Sequence, residues 1–188
     1  ADTWKTQRRG GKGMKGAKTK DDDFVEHLFT ASTHNTMLFF TDKGKCHWLK
    51  VHQIPQTSRT SQGRAIVNLI GCEAGEKVNA FVSVKEFSEN NYIIMATKNG
   101  MINRTALSLY SKPRKGGVFA MEIKEGDELI QAKISNGFDN IVMATRHGKS
   151  IRFKEEKVRA TGRRTKGVKG ITIGENDSVI GMLVLKND

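Results

Sequence analysis

Proline is nearly missing from this chain of 188 residues, present only as Pro55 and Pro113, and cysteine is equally scarce, at Cys46 and Cys72. Two thiols so separated match neither a metal-binding spacing nor a secreted disulfide framework, so both read as packed or idle. No apolar run approaches the ~20 residues that span a bilayer, and no hydrophobic stretch near the N-terminus has the form of a signal peptide. A soluble, cytoplasmic protein without a membrane partner is therefore expected. Acids are in the minority: 20 Asp and Glu stand against 32 Lys and Arg, for a formal charge of +12. That excess favours a polyanionic partner, with nucleic acid ahead of an anionic membrane surface. The start at Ala1, without Met, reads as a piece of a longer product.

What is present is glycine, 19 residues of it, punctuating short apolar bursts such as MLFF (37–40), YIIMA (92–96) and NIVMA (140–144). Helical periodicity is hard to find, and short β-branched and aromatic runs between Gly or Asn turns read as strands. FFTDKGKCHWLK (39–50), IMATKNGMINRT (94–105) and VMATRHGKSIRF (142–153) are three copies of one hairpin, each with a Thr and a turn ending at Gly44, Gly100 or Gly148. Glycine supplies the positive φ that such a tight turn demands.

A longer repeat encloses the hairpins. VFAMEIKEGDELIQA (118–132) aligns with VKGITIGENDSVIGM (168–182), setting Ile123 over Ile173, Asp127 over Asp177 and Ile130 over Ile180. RAIVNLIGCEAGEKVNAFV (64–82) is a looser copy, and KGMKGAKTKDDDFVEHLF (12–29) runs in register with KGVKGITIGENDSVIGML (166–183). A period of about fifty residues with four strands per unit is the signature of propeller-like blades. The expected fold is all-β, a propeller-like disk of four-stranded antiparallel blades. It is incomplete at about four blades: a partial one over 1–30, then repeats over about 31–82, 83–134 and 135–188. The apolar bursts fill blade interiors and carry no chemistry.

Cations concentrate in the links between hairpins: TQRRGGKGMKG, QTSRTSQGRA, SKPRKGGVFA and RATGRRTKGVKG, which hardly contain an acid. The acids gather elsewhere, at Asp21 to Asp23, Glu73, Glu76, Glu125, Asp127, Glu128, Glu155 and Glu156. One basic link per blade forms a stripe along one rim, able to neutralise the phosphates of a bent duplex blade by blade. The links are poor in aromatics, which argues against stacking platforms for single strands and for backbone contact with duplex.

A nucleotide-binding loop is excluded. Gly11-Lys12 is followed by Gly13 rather than a hydroxyl residue, and upstream of Gly148-Lys149-Ser150 stand Met143 and Ala144 instead of the first Walker glycine. The run Gln7, Arg8, Arg9, Gly10, Gly11, Lys12, Gly13 instead resembles the GyrA box, the signature of the C-terminal domain of the DNA gyrase A subunit. The likeness continues through Asp21 to Pro55 and every repeat to the end of the chain.

The resemblance implies a β-pinwheel whose blades exchange strands and whose basic outer edge wraps duplex DNA with positive handedness. It implies support for ATP-dependent negative supercoiling on the nucleoid, in a heterotetramer that holds the remainder of the A subunit together with the B subunit. The box becomes the anchoring contact. Arg8, Arg9 and Lys12 bring charge, the glycines let the backbone approach and offer N–H groups, and Gln7 binds a phosphate or holds the turn. GRRTKGVKG (162–170) is a degraded echo of RRGGKGMKG, stiffened by Thr165 in place of the glycine pair. The further rim contacts expected are Lys15, Arg59, Arg64, Arg114, Lys115, Arg159, Arg163, Arg164, Lys166 and Lys169. Family domains have five or six blades, so this chain departs from them in number and has raw strand edges.

No catalytic constellation is visible. His27, His34, His47, His52 and His147 are dispersed, Tyr92 and Tyr110 lie in or beside strand-like runs, and the family's DNA-cleaving tyrosine belongs to the N-terminal part of the protein. The expectation is a binding module with no metal and no cofactor. Two alternatives stand beside gyrase: the related domain of topoisomerase IV, against which an intact box argues, and an interaction propeller for an acidic protein partner.

Overall fold

The computed structural model describes residues 6–13, 29–56 and 65–187. Most of the partial blade expected over 1–30 lies outside these residues. Three mainly antiparallel sheets form among the described residues. The first contains β1 (Thr36–Thr41), β2 (Lys45–Lys50), β3 (Val78–Val84) and β6 (Val118–Phe119), in the order β3-β1-β2-β6. The second contains β4 (Tyr92–Thr97), β5 (Met101–Ala106), β7 (Leu129–Ser135) and β10 (Ala160–Thr161), in the order β10-β5-β4-β7, with β11 (Val168–Lys169) also on β5. The third is β12-β8-β9, from β8 (Asn140–Thr145), β9 (Ser150–Lys154) and β12 (Val179–Leu185).

The apolar bursts are β1, β4 and β8, each central in its sheet; β1 and β4 read as unbroken hydrophobic runs rather than alternating ones because both of their faces are packed. Along β4, Ile93 and Met95 pack with Leu38 and Phe40 of β1, while Ile94 and Ala96 pack with Ile141 and Met143 of β8. One sheet thus supplies both of its faces to two cores. On the far face of the first sheet, Met37 and Phe39 pack with Ile70. That residue comes from a short helix, α1 (Ile66–Ile70), in the stretch read from sequence as a looser strand copy. Ile66, Leu69 and Ile70 turn one helical face onto the sheet, and Gly71 closes the helix in the left-handed conformation, φ 66°.

The three hairpins share one local design. Thr41, Thr97 and Thr145 each accept, on Oγ1, the backbone N–H of the residue four ahead, at 3.2 Å in every case. Gly44 and Gly100 then do a second job: the Gly44 carbonyl accepts from Ala120 and Met121 N–H, at 2.8 and 3.2 Å, and the Gly100 carbonyl from Gly170 and Ile171, also at 2.8 and 3.2 Å. Each of these two hairpin turns therefore clamps the chain arriving from the next repeat. The aspartates aligned by the repeat sit beside such turns, Asp127 accepting from Asn99 N–H at 2.9 Å and Asp177 from His147 N–H at 3.1 Å.

Strand exchange follows. β6, reached from the second repeat, pairs with β2 of the first, Lys45 opposite Phe119, and β11 pairs with β5, Val168 opposite Ile102. The pairing of β10 with β5 is parallel, a departure from the purely antiparallel blade expected. Counts also depart from four per blade: the second sheet has five strands and the third has three among the described residues. β3, β7 and β12 pack side by side and form the inner edge, so β6, β10 and β11 mark the outer edge.

Candidate nucleic-acid interface

The box is a closed turn. The Gln7 side-chain amide grips both main-chain groups of Gly13, accepting from its N–H at 2.9 Å and donating to its carbonyl at 3.5 Å, while Gly11 N–H donates to the Arg8 carbonyl at 3.0 Å. Of the two roles open to Gln7 from the sequence, this geometry is that of a turn holder. A Cβ on Gly11 would lie 2.7 Å from the Gln7 Oε1, so any side chain there would have to displace the Gln7 amide from its clamp on Gly13. Residues 6–13 are all exposed, and among the described residues Arg8, Arg9 and Lys12 have no acidic partner. The turn therefore offers three cations with no acidic partner among the described residues.

The next two described links meet at the outer edge. Link residues 111–117 run from the 3-10 turn Leu107–Tyr110, which follows β5, to β6, and 162–167 connect β10 to β11. The second is tied through the main chain to the segment just after β6: Arg164 N–H donates to the Ala120 carbonyl at 3.2 Å, and Glu122 N–H to the Thr165 carbonyl at 3.1 Å. A cleft of about 420 Å³ results, lined by Arg114 from one link, Arg163 and Arg164 from the other, and Phe119 between them. Arg164 lies 5.3 Å from the Phe119 ring centre, and Lys45 reaches the same ring at 5.3 Å, so one aromatic carries two cations.

Arg164 adopts φ 64°, a left-handed conformation that costs a non-glycine residue about 1–3 kcal/mol. The box uses Gly10 for its own left-handed position, φ 85°. The second link holds its strained arginine by side-chain anchorage: Asn103 Nδ2 donates to Thr165 Oγ1 at 2.5 Å, and Thr161 and Thr165 hydroxyls lie 3.0 Å apart.

The remaining sequence-derived rim residues separate into three groups. Lys115, Arg159 and Lys169 are exposed on the same outer links and strands. Lys166 is exposed but pairs with Glu122 at 3.3 Å, an ion pair of the solvent-screened kind that contributes about 1 kcal/mol or less. Lys15, Arg59 and Arg64 lie outside the described residues. Two participants escaped the sequence reading: Phe119, as a shared cation platform, and Lys43 of the first hairpin turn, which lines an adjoining hollow with Phe119 and Arg164. The isolation of Phe119 as the aromatic in an otherwise cationic link was the available signal.

Tyr110 is fully buried, and burial pushes its pKa far up, while the Tyr92 ring is covered by the Arg104 guanidinium at 3.9 Å. No helix among the described residues is long and apolar enough to cross a membrane.

Sheets that lend each other outer strands, crowd their inner strands together and gather arginines along the outer links define a propeller-type all-β domain with a cationic rim. The chain belongs to the family described as DNA gyrase C-terminal domain, beta-propeller, whose model matches residues 5–32, 35–85, 91–136 and 139–186. It is 46% identical over 170 residues to the DNA gyrase A protein of Clostridium acetobutylicum, covering 90% of this chain and 20% of that protein. Against the DNA gyrase A protein of Salmonella typhimurium it is 40% identical over 185 residues, 98% of this chain and 21% of the relative. The chain thus spans about a fifth of the length of these curated relatives. Among solved structures, the C-terminal domain of DNA topoisomerase IV aligns with a TM-score of 0.79 at 25% identity, over 92% of this chain and 54% of that one. The DNA gyrase A C-terminal domain aligns with a TM-score of 0.77 at 22% identity, over 97% and 59%, a likeness of fold.

Proposed function

We propose that this chain binds duplex DNA without reading its sequence and bends it along the outer rim, as the wrapping domain of a DNA gyrase A protein. The observation that carries this reading is the convergence of Arg114, Arg163 and Arg164, from successive links, in one outer cleft. Charges repeated once per blade on a curved edge fit a phosphate backbone, and a phosphate-dominated contact needs no base-reading side chain. The repeats over about 31–82, 83–134 and 135–188 act as successive contact units, and the box, with its closed turn and free cations, is the anchor. In the parent enzyme this domain would hold a DNA segment for ATP-dependent supercoiling by the A and B subunits, the chain itself contributing no catalytic group.

Support against a topoisomerase IV origin comes from the complete run Gln7 to Gly13 and from curated relatives that are gyrase A proteins. The test is relaxation of a nicked or supercoiled plasmid, with ligation or a type I topoisomerase, in the presence of the 188-residue chain. A wrap leaves a positive linking-number shift that grows with protein, and affinity that falls with salt by roughly 0.9 log units per log unit for each phosphate neutralised. Binding without any topoisomer shift would remove wrapping from the account, and a flat salt response would remove phosphate contact.

A further inference from the structure

Beside the rim, behind β2, lies a cluster that the DNA reading does not use. His47 of β2 is 2% exposed, the Glu76 side chain is wholly buried, and Cys72 is half-buried in the turn between α1 and β3. The ligating atoms of these three side chains all lie within 4.8 Å of one another, with His47 Nε2 3.6 Å from Glu76 Oε2. Tetrahedral zinc with bonds of about 2.0–2.3 Å sets its ligand atoms roughly 3.3–3.8 Å apart. The His47–Glu76 separation falls in that range. His47 Nε2 has no hydrogen-bond partner, although it is buried and faces this group, which for a polar ring atom demands an explanation.

Lys45 approaches from the far side, 3.3 Å from Glu76 Oε1 and 2.5 Å from Glu73 Oε1. Lys45 thus bridges an exposed and a fully buried carboxylate, and Lys43 also acts on Glu73. A divalent cation that displaces the thiol proton brings two positive charges and one thiolate.

We infer that His47 Nε2, Cys72 Sγ and Glu76 Oε2 form a binding site for a thiophilic divalent cation of the zinc type, with the fourth position open to water. Binding breaks the Cys72 S–H bond, forms a metal–sulfur bond and releases one proton to solvent, with no change of oxidation state. Lys45 is a positioning residue, holding the carboxylate by its other oxygen. The consequence is mechanical: the ion ties β2 to the turn before β3. His47 lies directly beneath Gly117, whose Cβ, if present, would meet the ring at 2.8 Å, so the tie underlies the link bearing Arg114 and Lys115.

Cobalt is the probe, titrated into the reduced 188-residue chain and followed by its thiolate-to-metal charge-transfer and tetrahedral ligand-field bands, then displaced with zinc. One equivalent should bind, with release of a proton and a rise in melting temperature. Cys72→Ser should abolish the charge-transfer band, and Glu76→Gln or His47→Gln should weaken binding by at least about 100-fold, the upper end of what loss of an outer-shell partner costs. Cys46→Ala should keep the band, because Cys46 is buried in the core between the first two sheets. Cys72 stands on a surface turn, so its variant reports even where His47→Gln fails to fold. Absence of a charge-transfer band at tenfold excess of cobalt, or a band that survives Cys72→Ser, overturns the site.

Discussion

Gln7 and Gly13 are joined by a two-way amide clamp, N–H to Oε1 at 2.9 Å and Nε2 to carbonyl at 3.5 Å. The clamp closes the ends of the box on each other, so Arg8, Arg9 and Lys12 project from a loop of fixed curvature rather than from a free tail. Gln7→Ala removes no charge. It should therefore leave the salt dependence of DNA binding unchanged while reducing the topoisomer shift, and it should weaken binding about fivefold, the equivalent of one net hydrogen bond near 1 kcal/mol. Filter binding across a salt series, run beside plasmid relaxation, separates the two effects. A changed salt slope would mean that opening the clamp also withdraws Arg8, Arg9 or Lys12 from phosphate.

The rim cations are unequal. Arg164 has no acidic partner among the described residues and lies 5.3 Å from the Phe119 ring centre, whereas Lys166 is engaged with Glu122 at 3.3 Å. Arg164→Ala should lower the log-log salt slope by roughly 0.9, and Lys166→Ala by clearly less, because releasing Glu122 adds a repelling charge but frees little phosphate contact. Replacing Arg8, Arg9 and Lys12 together should impair wrapping more than replacing Arg163, Arg164 and Lys166. A reversed order would move the anchor from the box to the last link.

The hairpins were legible because their determinants are local: a Thr whose hydroxyl accepts the N–H four residues on, and a turn glycine, lie within six residues of each other. The cationic links were legible for the same reason, as composition. What could not be read is what depends on elements far apart in the chain. α1 is helical because its apolar face is taken up by the back of the first sheet, a partner the local sequence does not announce. The stiffness read from Thr165 has its cause in Asn103, 62 residues upstream, whose amide pins the threonine hydroxyl. Cys72 carries no metal spacing because His47 comes from a strand in the preceding hairpin, and only the fold brings the two together.

Gly100 and Gly148 hold equivalent places in their hairpins but differ in what surrounds them. Both have positive φ, 84° and 83°. A Cβ on Gly100 would stand 2.5 Å from the Ile171 carbonyl, whereas a Cβ on Gly148 meets nothing within 4 Å. Gly148→Ala should cost only the left-handed penalty of about 1–2 kcal/mol. Gly100→Ala must also push away the strand it clamps and lose the bonds from Gly170 and Ile171, for about 3 kcal/mol or more. At about 2–4 °C per kcal/mol for a chain of this size, thermal unfolding resolves the two. Equal losses would show that the hairpin clamp contributes nothing to cohesion between sheets.

Glu155 is a buried carboxyl beneath the Arg104 guanidinium, its Oε1 4.0 Å from the nearest arginine nitrogen. Burial raises its pKa above the ordinary carboxylate range; Arg104 on β5 opposes that rise, and Asp139, at the entry to β8, adds to it. A carboxyl with a raised folded-state pKa binds its proton more tightly in the folded chain than in the unfolded one. Its contribution to stability is therefore fully present below the unfolded value and is lost as pH rises through the folded value. The melting temperature of the parent chain minus that of Glu155→Gln should accordingly increase as pH is lowered from neutrality through the raised value, then level off below the ordinary carboxylate pKa. Taking the difference removes the other titrating groups, which both proteins share. A difference that falls on acidification would mean that the ion pair with Arg104 outweighs burial and that Glu155 is held as the carboxylate.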